Sequence, residues 1–147
     1  MEDSGMEVLV FPWLALGHML PFLEVSKEMA KRGHRVTFVS TPRNIERLPK
    51  LPQHLAPRIQ LQALTMPHVD GLPENAEATV DVPADKVPYL KKAYDGLQQS
   101  MVALLERSRP GPDWIIHDFT AYWLPGIAAT YRIPCAFFCI FSAPTIA

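Results

Sequence analysis

The sequence predicts an α/β fold, a parallel doubly wound sheet with helices on both faces. Met6–Phe11 is a short, continuous apolar run, as expected of a strand buried on both sides. An amphipathic helical stretch and a β-branched run, His34–Ser40, follow within about 35 residues and complete a right-handed βαβ unit. Two more apolar runs, at Trp114 and at Cys135, alternate with helical patterns later in the chain.

The elements follow in order. The first strand passes through a turn containing Gly17 and His18 into a helix. Pro21 is expected in that helix's first turn, where its missing N–H costs nothing. Phe22, Val25 and Met29 recur at helical spacing with Leu23 and Ala30 beside them, while Glu24, Lys27, Glu28 and Lys31 face water. Lys31 and Arg32 complement the helix dipole, and Gly33 stops the helix. His34–Ser40 is the second strand, ended by Thr41-Pro42-Arg43-Asn44. A short helical turn at Ile45–Leu48 and a weaker third strand at Ile59–Leu64 come next. From Met66 to Val87 no periodicity survives. Asp70-Gly71, Pro73 and Pro83 mark a long loop, which in a compact domain is functional or disordered. Leu90, Ala93, Leu97, Met101 and Leu104 give one apolar stripe on a single helix ending near Ser108. Trp114–His117 is the fourth strand, with Asp118 directly after it. A helix at Trp123–Tyr131 and a fifth strand at Cys135–Phe141 complete the pattern.

Bulk properties narrow the function classes. The 147 residues make one domain, and 48% hydrophobic with 20% charged residues is a globular balance. A net charge of −1 offers no basic surface for nucleic acid. No run approaches the roughly 20 apolar residues of a membrane span, and Met1–Gly5 lacks the positive flank of a signal peptide. Eight of the 15 prolines lie from Pro42 to Pro88, the loop-rich region. Cys135 and Cys139 sit in the same expected strand, roughly 13 Å apart along it, too far for a disulfide. Two buried free thiols fit a reducing compartment, so a cytoplasmic protein without membrane insertion is expected.

The topology singles out one pair of residues. In doubly wound sheets strands one and four are neighbours, and the crevice between their carboxyl ends is the switch point where ligands bind. His18 follows strand one and Asp118 follows strand four, 100 residues away in sequence. An aspartate bonded to one imidazole nitrogen fixes the tautomer and leaves the other nitrogen as a general base. The remaining histidines have plainer readings: His34 in an exposed turn, His54 and His68 in proline-rich loops, His117 on a strand. No cluster with metal-ligand spacing occurs, so no metal is expected. Ser142 and Thr145, after strand five, either touch a ligand or form turns, and no nucleophile elbow accompanies them. A dinucleotide site is disfavoured, because the first turn has a single glycine and strand two ends Ser40-Thr41-Pro42 without an acid for the ribose. Trp13, Phe22, Tyr89, Tyr122 and Trp123 lie near strand ends and either line an apolar pocket or belong to the core, as Met101 and Leu104 do.

Three segments carry a family resemblance: Pro12–Glu24, Arg32–Ile45 and Asp113–Asp118. On these the chain resembles the N-terminal, acceptor-binding domain of plant family 1 UDP-dependent glycosyltransferases, which have the GT-B fold with Rossmann-like halves. Ser40–Ile45, Gly71-Leu72-Pro73 and Asp81-Val82-Pro83 are most similar to the sugar-on-sugar branch, including UDP-rhamnose:rhamnosyltransferases of flavonoid and terpenoid glycosides. The resemblance implies that His18 deprotonates an acceptor hydroxyl, that Asp118 orients it, and that the oxygen displaces UDP from a UDP-sugar with inversion and without a metal. It implies an acceptor site drawn from Trp13, Gly17, Phe22, Tyr89, Tyr122 and Ser142. The serine or threonine with which relatives hold the donor sugar falls at Ile140 or Phe141 here, with Ser142 beside it. The UDP-sugar-binding C-terminal domain and its signature box are not among these 147 residues. The resemblance therefore implies the acceptor half of a monomeric glycosyltransferase, spanning residues 1–147 and inactive alone. The alternative is a non-catalytic small-molecule-binding remnant or regulatory decoy.

Overall fold

The computed structural model describes residues 5–141. Five parallel strands form one sheet in the order β3-β2-β1-β4-β5. They are β1 (Glu7–Phe11), β2 (Arg35–Ser40), β3 (Ile59–Ala63), β4 (Trp114–His117) and β5 (Cys135–Phe137). The helices are α1 (Leu16–Lys31), α2 (Pro42–Arg47), α3 (Val87–Asp95), α4 (Gln98–Arg107) and α5 (Leu124–Thr130). The order of the strands reverses at β1, whose neighbours are β2 on one side and β4 on the other, with Val10 opposite Phe38 and Phe11 opposite His117.

Strand alternation sorts the core into two layers. Val8 and Val10 point to one face, where they pack with Met19, Phe22, Leu23 and Ala30 of α1 and with Val36, Phe38 and Ile59. Leu9 and Phe11 point to the other, against Leu90, Tyr94, Leu97, Met101, Leu104 and Leu105 of the α3–α4 region and Leu124 and Ala128 of α5. A central strand buried on both sides is what its unbroken apolar run specifies.

Several boundaries differ from the sequence expectation. Helix α1 begins at Leu16, because Ala15 is extended and its carbonyl accepts both His18 N–H (2.9 Å) and Met19 N–H (2.8 Å). His18 therefore sits in the first helical turn instead of a loop, and Pro21 lies inside the helix, where it forgoes the bond to the Gly17 carbonyl. The single stripe from Leu90 to Leu104 is carried by two helices. They break at Gly96 and Leu97, where the chain passes over Pro67, yet all five stripe residues stay buried. Helix α2 starts at Pro42, three residues before the expected turn, with proline in its first turn. Strand β5 ends at Phe137, so Cys139 lies beyond it; both cysteines are free and half-buried, not buried.

The proline-rich segment from Met66 to Val87 is ordered. Two 3-10 turns, Thr79–Asp81 and Ala84–Lys86, punctuate it, and Val69, Ala76 and Ala78 are buried. Thr79 N–H donates to the Leu14 carbonyl at 2.9 Å, tying this strap to the β1–α1 connection. Among the described residues no helix is long and apolar enough to cross a membrane, and no group of three or more His, Cys, Asp or Glu side chains could hold a metal ion.

Candidate active site

Parallel β1 and β4 deliver two loops to one place. Phe11 and His117 are register partners, so the residues after them emerge side by side at the carboxyl edge of the sheet. There His18 Nδ1 lies 2.8 Å from Asp118 Oδ2. Asp118 is 1% exposed, and backbone amides hold both of its oxygens: Trp13 N–H donates to Oδ2 at 2.9 Å and Phe119 N–H to Oδ1 at 2.8 Å. An ionised carboxylate only accepts, so a neutral imidazole bonded to it through Nδ1 carries its proton there and keeps the lone pair on Nε2. The His18 side chain is 13% exposed, so part of the ring reaches the surface.

The imidazole is framed by aromatic rings, Phe119 at 5.5 Å and Phe141 at 5.9 Å between centroids. Beside it opens an apolar cavity of about 280 Å³ lined by Asp118, Phe119, Phe137, Cys139, Ile140 and Phe141. Burial pushes the Cys135 thiol up from its ordinary range, which argues against a nucleophilic role there.

The structure brings His18 and Asp118 together, and it distributes the other candidates. Gly17 is beside His18 in the first turn of α1, with open space where a Cβ would stand. The Trp13 ring is buried in the core against Tyr94, 5.1 Å away edge-to-face; what it gives the site is its backbone N–H. Phe22 is fully buried under α1 and packs on Phe138, away from the cavity. Tyr89 packs on Gly71 beneath Lys86, at the strap. Tyr122 is 71% exposed, with Lys91 4.8 Å above its ring. Trp123 is core, donating its Nε1–H to Asp95 at 3.1 Å. None of these five side chains lines the cavity at the dyad. Ser142 and Thr145 lie outside the described residues. His34 is not a free exposed side chain: its Nδ1 accepts Met6 N–H at 3.0 Å and stitches α1's end to β1.

Sequence reasoning missed Phe119, Phe137 and Phe141 as cavity walls, and both amides on Asp118. Phe119 could have been found by its adjacency to Asp118. Nothing in side-chain pattern announces a backbone donor. Among the described residues two buried hydroxyls that no pattern singled out, those of Tyr94 and Thr120, have no hydrogen-bond partner. Groups of this kind cost about 1–3 kcal/mol each.

No family model matches the chain. Curated relatives do. The chain is 53% identical over 146 residues to UDP-glycosyltransferase 91D1 of Stevia rebaudiana, which covers 99% of this chain and 29% of that protein. It is 49% identical over 135 residues to soyasaponin III rhamnosyltransferase of Glycine max, covering 92% of this chain and 28% of the relative. Over nearly its whole length the chain is similar to plant UDP-glycosyltransferases. It spans about 30% of the length of these glycosyltransferase relatives. The fold matches the GT-B glycosyltransferase UGT89C1 of Arabidopsis thaliana, with a TM-score of 0.89 and 27% identity over 97% of this chain and 36% of that one. The same enzyme has been solved with UDP-L-rhamnose (TM-score 0.85, 26% identity, 97% of this chain, 38% of that one) and with quercetin (0.88, 27%, 97%, 37%).

Proposed function

We propose that this chain is the acceptor-binding, general-base part of an inverting UDP-glycosyltransferase that glycosylates a hydroxyl of a plant secondary metabolite or its glycoside. The observation that carries the reading is the 2.8 Å contact between His18 Nδ1 and Asp118 Oδ2 beside an apolar cavity. His18 Nε2 accepts the proton of the acceptor hydroxyl as its oxygen closes on the anomeric carbon of the UDP-sugar. Asp118 stabilises the imidazolium that forms, and UDP departs as the leaving group. Phe119, Phe137 and Phe141 offer flat apolar surfaces suited to a flavonoid or terpenoid skeleton. Donor binding falls to a C-terminal domain that completes the enzyme. The two free, half-buried cysteines favour the cytoplasm as its compartment.

Residues 1–147 grafted in place of the matching segment of the soyasaponin III rhamnosyltransferase provide the test. The chimera should transfer sugar from UDP-rhamnose or UDP-glucose to flavonoid or triterpenoid glycosides. The same chimera carrying His18→Ala should bind acceptor with its affinity preserved, followed by tryptophan fluorescence, and turn over about 10²–10⁴-fold more slowly. Turnover that survives His18→Ala would overturn the base assignment.

A further inference from the structure

A second histidine stands at the end of β4. His117 is half-buried, and its Nδ1 lies 2.9 Å from the carbonyl oxygen of Asp118. A carbonyl only accepts, so Nδ1 carries a proton and donates it there. That carbonyl belongs to the same planar peptide unit as the Phe119 N–H, and Phe119 N–H donates to Asp118 Oδ1 at 2.8 Å. One end of the unit is thus held by His117, and the other end holds the carboxylate. Turning this peptide would take the amide off Oδ1 and shift the Phe119 ring, which stands 5.5 Å from that of His18. Ala121 N–H also donates to the Asp118 carbonyl, at a longer 3.3 Å. The His117 ring is itself braced. It lies nearly parallel to Phe137, its register partner on β5, with 15° between planes and 6.0 Å between centroids. Its own carbonyl accepts Phe138 N–H at 3.0 Å, and Phe137 is a wall of the cavity beside the dyad.

We propose that His117 is a positioning residue: its Nδ1–H fixes the Asp118–Phe119 peptide and, through it, the carboxylate that orients His18. An aspartate has side-chain torsions of its own, so a backbone free to tilt beneath it would let the carboxylate leave His18 Nδ1. Asp118 is 1% exposed, so water is poorly placed to replace an amide lost from Oδ1. The restraint matters most while the imidazole holds the acceptor's proton, when the 2.8 Å contact must keep its geometry without reorganising. Packing alone does not call for an imidazole here. A phenylalanine would stack on Phe137 equally well, and what the imidazole adds is a donor. This inference rests on the reading of His18 and Asp118 as base and orienting acid.

Three substitutions separate the bond from the ring. His117→Asn puts an amide donor where the imidazole carries Nδ1 and removes the ring; His117→Gln puts its amide nearer the place of Nε2; His117→Phe keeps a ring and has no donor. Nitrogen-15 NMR of ring-labelled histidines in the 147-residue chain reads the tautomer and the Nδ1–H resonance of His18, assigned by its loss in His18→Ala. Asp118→Asn, the control, should move that resonance upfield and populate the other tautomer. His117→Phe and His117→Gln should each produce part of this change, and His117→Asn should match the parent. In the grafted enzyme the Phe and Gln variants should lower kcat about 3–10-fold at an unchanged KM for the UDP-sugar, with Asn recovering most of the loss. Parent-like signals from both Phe and Gln would overturn the positioning role and leave the dyad standing. Asn losing as much as Gln would assign the effect to the ring and also overturn it. Should the Phe variant fail to fold, the Asn and Gln pair decides by the same two outcomes. If Asp118→Asn itself changes nothing, the dyad reading fails and takes this inference with it.

Discussion

Asp118 and Asp81 are held by closely similar means. Each accepts two backbone N–H groups: Trp13 and Phe119 for Asp118, Glu77 and Ala78 for Asp81. Their side-chain partners differ. Asp118 faces one imidazole, whose second nitrogen has no hydrogen-bond partner among the described residues, whereas Asp81 faces Arg47 and, at 3.4 Å, Arg43. A guanidinium cannot give up its proton at working pH and has no lone pair to offer. The Asp81 cluster therefore ends in itself. It fastens the strap to α2, with Arg43 N–H on Glu77 and Asn44 Nδ2 on the Glu77 carbonyl adding to the seam. Burial and amide capping are common to both aspartates; the proposed catalytic role of Asp118 turns on its partner, the imidazole of His18.

The comparison breaks most sharply at the dyad. His18→Ala should cost turnover about 10²–10⁴-fold in the grafted enzyme. Asp118→Asn should slow turnover less than that, since the base remains and only its orientation and the imidazolium suffer. Rate measurements that rank Asp118→Asn above His18→Ala would invert the assigned roles. At the strap the pattern should reverse. Arg47→Ala removes the charged donor on a carboxylate that is 9% exposed, leaving Arg43 and two amides in place. The expected loss is about 1–2 kcal/mol of unfolding free energy, read from urea denaturation, with turnover within a few-fold of the parent. Turnover falling as far as in His18→Ala would mean that the strap takes part in the chemistry.

A smaller effect tests the strap's other anchor. Gly71 has φ +91, and a Cβ there would stand 2.9 Å from the Tyr89 ring. Gly71→Ala combines left-handed backbone strain with that collision, so about 1–2 kcal/mol of destabilisation is expected. Thermal unfolding indistinguishable from the parent would show that this corner gives way freely and that the strap is held at its α2 and β1–α1 contacts.

How much of this was legible beforehand follows from the range of each interaction. Strands and their order are written in local pattern plus a general rule of handedness, so the β1–β4 crevice and the pairing of His18 with Asp118 could be read across 100 residues. The helix break at Gly96 was not, because Leu97 and Met101 keep the phase of Leu90 and Ala93 while both helices feed one core layer. Periodicity records which face is buried, not whether the axis bends. The strap was illegible for another reason. Its order comes from Arg43, Asn44 and Arg47, more than 30 residues upstream, and from one bond to the Leu14 carbonyl. Trp13 was read as a ring near a strand end; the packing of that ring on Tyr94 leaves the amide as its contribution.

The smallest effect concerns acid. Burial, the largest single influence on Asp81, pushes its carboxyl up, but the Arg47 hydrogen bond, the Glu77 and Ala78 amides and the Arg47 charge together outweigh it and leave the pKa lowered. As pH falls, the unfolded chain, with an aspartate near about 3.9, takes up its proton before the folded chain does. The stabilisation from Asp81 is thus fully present above that unfolded value and is lost as pH falls through the lower folded one. Urea unfolding between pH 6 and pH 3 should show stability declining in the parent and declining less steeply in Asp81→Asn, which has no proton to take up. The two slopes should coincide above about pH 5, where both states of the aspartate are ionised. Identical acid slopes would mean that the Arg47 contact persists unfolded or contributes nothing, and the strap would then owe its order to the bonds from Arg43, Asn44 and Thr79.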